Sequence, residues 1–150
     1  MKVMVRPLKT HGIAEIDAVG RADFVQQMRD AADTAAEKLS ARARAEIAAK
    51  AKRRTGTLES ATGHFSYASV YGVGAYVGWE RKALRRKAST FQDVNGRVRK
   101  VSTVADVGGI LEYSGTRKLR HIQPAYQAME HELADYIESE IDKLLDRAGL

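Results

Sequence analysis

Three stretches of the chain carry residue types that chemistry uses. Gly72-Val-Gly74-Ala-Tyr-Val-Gly78 has the glycines of a phosphate-cradling loop, but its spacing is GxGxxxG and it lies in strand-like sequence. A dinucleotide loop turns from a strand into a helix N-terminus, so that backbone N–H groups meet the pyrophosphate. These glycines read instead as points of close strand approach or a bulge. His131-Glu132 opens like the helix of a zinc protease, but one turn on stands Asp135 and not a second histidine. Without two imidazoles on one helix face that metal site is not made. His11, His64 and His121 have no sequence partners that suggest a relay. No serine sits in a GxSxG elbow, and the phosphate loop GxxxxGK(S/T) is absent. Acids such as Glu138 and Asp142 are helical neighbours on a solvated face. The residues point to no enzyme, no metal and no cofactor.

One charged run is harder to set aside. Arg81, Lys82, Arg85, Arg86 and Lys87 could contact phosphates, each neutralised charge releasing counterions and making affinity salt-dependent. Tyr and Phe are not interleaved with these charges as on a stacking platform. The spacings of helix-turn-helix and zinc-finger proteins are absent. The preferred reading is a solvated loop that docks on another protein subunit. A small basic DNA-binding protein is the alternative.

Charge is unevenly spread along the 150 residues. Residues 1–80 carry 12 Lys/Arg against 9 Asp/Glu, residues 81–120 carry 11 against 3, and residues 121–150 carry 2 against 7. A basic middle and an acidic tail can attract each other between subunits, or the basic part can face an anion. The length and 44% hydrophobic content fit one domain, residues 1–150, with a substantial core. Cysteine is absent, which excludes disulfides and thiolate chemistry. No apolar run reaches the ~18 residues of a membrane span, and MKVMVRPLKT lacks the apolar core of a secretory signal. The expected setting is a cytoplasm.

The elements that must position these residues follow from periodicity. Apolar residues at Phe24, Met28, Ala31, Ala35, Leu39, Ala43 and Ile47 predict a helix from Asp23 to about Lys52, with an Asp23–Gln26 capping box at its start. Its basic end suits the helix dipole, and Thr55-Gly56 ends it. From His64 to Trp79 the period becomes two, with a short link at Tyr71-Gly72, predicting an antiparallel hairpin. Asn95-Gly96 predicts a tight turn between arms Phe91–Val94 and Arg97–Val101. Residues 80–103 are expected to form an exposed basic arm. Gly108 to Ala125 reads as a short helix, a turn at Ser114-Gly115-Thr116, and a connection into a long helix with Pro124 at its first position. That last helix carries the stripe Ala125, Met129, Leu133, Ile137, Ile141 and Leu144. The expected fold is α+β: long N-terminal and C-terminal helices packed on an antiparallel β-sheet, with an extended β-hairpin arm.

LEYSGT, followed by QPA and a long charged helix, resembles the C-terminal half of the tail-component family of tailed phages typified by the tenth gene product of phage HK97. Arg54-Thr55-Gly56-Thr57-Leu58-Glu59-Ser60-Ala61 resembles that family's T-G-x-L-x-x-S motif through Thr55-Gly56-x-Leu58, with Ser60 one residue early for the motif's serine, and order and approximate spacing agree over roughly residues 20–148. Two positions of the later stretch also depart from the pattern. The family reads Glu-aromatic-Gly-Thr, so Ser114 is an extra residue, and Arg120-His121 stands where a Pro-aromatic pair is usual. The resemblance implies a structural virion protein of a tailed phage or prophage, a head–tail connector, neck or tail-completion component. It would form a homo-oligomeric ring, of six subunits, that caps the tail tube and joins it to the capsid. The implied partners are other copies, the tail-tube protein and head-completion proteins, with non-specific contact to DNA in the lumen and no membrane. The implied location is the virion, with assembly in the host cytoplasm. The candidate interface residues are Arg81, Lys82, Arg85, Arg86, Lys87, Asn95, Gly96, Glu112 and Thr116, the last two doubling as a local cap and turn support.

Overall fold

A helix whose small apolar residues recur every three or four positions can be covered on more than one side, and α1 (Arg21–Lys50) is built that way. Met28, Ala31, Ala35, Leu39, Ala43 and Ile47 are buried as the periodicity predicts. Ala32, Ala36 and Ser40, one position further round, are buried as well. The second stripe exists because α1 lies between the sheet on one side and the last helix on the other. Alanine at these positions lets both neighbours approach closely. The computed structural model describes residues 2–5, 21–50, 56–69, 72–84, 89–92, 96–114 and 120–147.

The architecture is α+β. After β1 (Lys2–Val5) and α1 come a one-turn helix α2 (Thr57–Ala61), β2 (Thr62–Ser69) and β3 (Gly72–Trp79). These strands form an antiparallel sheet in the order β1-β3-β2, with Val3 and Ser66 both opposite Ala75. Val73, Ala75 and Val77 of β3 enter the core beneath α1. Phe65 and Tyr76, directly opposite each other, are exposed on the other face. A second, two-stranded sheet pairs β4 (Ser89–Gln92) with β5 (Val98–Val101). Then follow α3 (Val104–Gly109), a π-turn (Ile110–Ser114) and α4 (Ile122–Arg147).

The last helix runs antiparallel to α1. Arg147 donates to Gln27 Oε1 at one end, Lys38 meets Glu132 and the Tyr136 ring midway, and Lys50 donates to the Arg120 carbonyl at the other. Ala125, Leu133 and Leu144 are buried, with Met129, Ile137 and Ile141 packed partly against the same core. The exposed Lys38–Glu132 pair, at 3.5 Å, orients more than it stabilises, since such pairs are worth about 0–1 kcal/mol.

Two local expectations are corrected. α1 begins at Arg21, so Asp23 is already helical and cannot serve as the N-cap. Gln26 then finds its partner within the helix, donating to Asp30 Oδ1 at 2.8 Å. The β4–β5 register places Gln92 opposite Val98, and the turn expected at Asn95-Gly96 rests on Asn95, which lies outside the described residues. Gly96 does take the left-handed φ of +76° and its carbonyl accepts from Gln92 Nε2. Pro124 is the third helical residue of α4, still in the first turn where its missing N–H leaves no intrahelical bond unmade. Gly56, at φ +67°, supplies the left-handed turn that starts α2.

Candidate functional site

The junction that delivers the chain into α4 is assembled from four short pieces. α3 starts on a capping box: Thr103 Oγ1 accepts from the Asp106 N–H at 3.2 Å, and Asp106 Oδ2 accepts from the Thr103 N–H at 2.9 Å. The backbone N–H of Ser102, then that of Thr103, holds the Asp106 carboxyl below its usual range. The chain then widens into the π-turn, a form that arises where one extra residue is fitted into a helix. Within it Glu112 is turned inward, 5% exposed, while its neighbour Tyr113 is 69% exposed.

Glu112 ends at the first turn of the next helix. Its Oε2 accepts from the backbone N–H of His121 at 2.9 Å and of Ile122 at 3.0 Å, and its Oε1 from Gln123 at 2.6 Å. Those N–H groups have no intrahelical acceptor, and the helix dipole favours an anion there. Burial pushes the carboxyl upward, but the three backbone N–H donors outweigh it and leave the group below its usual range. The carboxylate is a helix cap supplied from nine to eleven residues earlier in the chain.

His121 completes the junction. It is 1% exposed, and its Nε2 accepts from the Trp79 indole N–H at 3.0 Å. The indole can only donate, so Nε2 carries no proton and the ring proton sits on Nδ1, which faces Glu112 Oε2 at 3.5 Å. Trp79 rests against Gly108: a Cβ there would fall 2.3 Å from the indole. One buried line thus ties β3, α3, the π-turn and α4. Its polar groups face one another and the backbone, which is the arrangement of a structural joint. A cleft of about 360 Å³ beside it is lined by Glu112, Tyr113, Arg120, Ile122 and Gln123. Arg120 there donates to Gln123 at 2.7 Å.

The basic arm is held at its base. Leu84 N–H donates to the Ser102 carbonyl at 3.0 Å, Val104 N–H to the Lys82 carbonyl at 2.8 Å, and Ala83 bridges Thr103. The expectation of an arm spanning 80–103 is therefore narrowed, since residues 80–84 and 101–103 are built into the body and Val101 is buried. Arg81, Lys82, Gly96, Arg97 and Lys100 are exposed, with Lys82 paired to Glu80 at 2.8 Å. Glu112, expected at an interface, is corrected to a buried cap. Arg85, Arg86, Lys87, Asn95 and Thr116 lie outside the described residues. The Trp79–His121 contact and the π-turn were not foreseen; the lone Trp, five residues after Gly74, was the only signal.

Among the described residues no group of three or more His, Asp or Glu is placed to hold a metal ion, and no helix is long and apolar enough to cross a membrane. No protein-family model, curated protein or solved structure matches the chain.

Proposed function

We propose that the chain is a structural assembly protein of a tailed phage or prophage, forming a ring at the head–tail junction that caps the tail tube and joins it to the capsid. The observation that carries the reading is Glu112. The glutamate of the resembled motif has a defined structural task here, fixing the entry of the long C-terminal helix through three backbone N–H groups. The extra residue of that motif, Ser114, closes the π-turn, so the added length is taken up locally and the glutamate still reaches its helix. The upstream motif falls on the left-handed Gly56 and the one-turn helix after it. A hairpin standing out from the body and two oppositely charged surfaces suit a subunit that completes itself by assembly.

The exposed cations Arg81, Arg97 and Lys100 favour the second reading, a small basic DNA-binding protein. Deleting the gene from its phage or prophage separates the two. The assembly reading predicts filled heads and finished tails that fail to join, with joined particles restored by the gene supplied in trans. Normal virions, with altered DNA packaging or transcription instead, would favour the DNA-binding reading.

A further inference from the structure

One face of the β4–β5 hairpin is open. Beyond the buried Val101, the face formed by Thr90, Gln92, Val98 and Lys100 is exposed, Val98 at 69%. No other described element packs substantially against the hairpin. A two-stranded hairpin alone is marginal in water and normally gains its order from a helix or further strands.

A second surface has the opposite deficit. Asp135, Glu138, Asp142 and Asp146 fall at steps of three and four on α4, opposite its buried stripe, and all are exposed. None of the four forms an ion pair among the described residues; Lys143 is taken by Glu140. Adjacent members of the row repel one another along the helix. Leu145, 37% exposed, lies beside them. The row is about 16 Å long at the helical rise, close to the roughly 13 Å of a four-residue strand.

We infer that the β4–β5 hairpin of one copy docks on the acidic outer face of α4 in the next copy, with Val98 against Leu145 and Arg97 and Lys100 facing the carboxylates. This rests on the ring proposed above and names its interface. The occupant is a second copy because the two surfaces complement each other in charge and belong to different segments of one chain. Contacts between unlike surfaces repeat head to tail and close when the rotation divides a full turn. The exposed valine meets an exposed leucine within a charged surround, the usual anatomy of a small interface.

The chain has no cysteine, so engineered pairs report without background. V98C and L145C proteins, mixed and oxidised under assembly conditions, should give a disulfide-linked dimer that neither variant gives alone. In parallel, D142K/D146K and R97E/K100E should each raise the concentration needed for assembly roughly tenfold, and mixing the two reversed proteins should not impair assembly. Circular dichroism would confirm that the exposed substitutions leave the fold intact. If wild-type protein assembles while the cysteines stay unlinked and both reversals assemble normally, the interface is wrong and the ring stands. If acidic reversal alone matters, the hairpin is not the occupant and the inference fails. If wild-type protein does not assemble even on tail tubes, the ring itself fails.

Discussion

The Trp79 indole nitrogen lies 3.0 Å from Nε2 of His121, joining the end of the central strand to the start of the last helix. The ring planes meet at 66°, so the contact is edge-on and directional. Trp79 is the only tryptophan in the chain, which makes its emission a direct report on this joint.

Gly108→Ala places a methyl group within 2.3 Å of that indole. The tryptophan must move off His121, with an expected loss of about 1–3 kcal/mol and a shift in its fluorescence. Gly109→Ala is the control, since nothing lies within 4 Å of a Cβ there. Equal melting curves and emission for the two variants would contradict the close packing.

Glu112→Ala removes the acceptor for three backbone N–H groups, and a loss of about 1–3 kcal/mol is expected in denaturant melts. Glu112→Gln keeps one acceptor oxygen and should fall between the variant and the wild type.

The same carboxylate sets a pH dependence. Its folded value lies below its unfolded one, so the stabilisation is complete above the usual carboxylate range and is lost as pH falls through the folded value. Melts from neutral to acid pH should show a stability loss that is smaller in Glu112→Gln. Parallel pH curves for the two proteins would remove the cap from the account.

Much of this was legible in the sequence because it is periodic. The stripes of α1 and α4 and the alternation around Tyr71-Gly72 each report one partner surface at a time. What could not be read was set by tertiary contact. The second buried stripe of α1 shows only once two neighbours are present. Thr103 and Asp106 form a capping box for a helix too short to declare a period. The π-turn rotates Glu112 by a residue, and without that rotation neither its burial nor the His121–Trp79 line could be inferred.

Limited trypsin digestion should cut first beyond the base of the arm, between residues 85 and 100, where Arg97 and Lys100 are exposed. Lys82, whose carbonyl accepts from Val104, should be cut later. Early cleavage within α4 with the arm intact would contradict this order.

Duplex DNA should bind weakly and dissociate at moderate salt, as expected of a few surface cations. Nanomolar, sequence-selective binding at physiological salt would make the DNA-binding reading the better one.

Electron microscopy of the purified chain, alone at high concentration and added to tail tubes, tests the central claim most directly. The account predicts a closed ring of six subunits seated on the tube end, weakened when Arg85, Arg86 and Lys87 are reversed to Glu. A two-fold dimer on the tube, with no ring at any concentration, would contradict it.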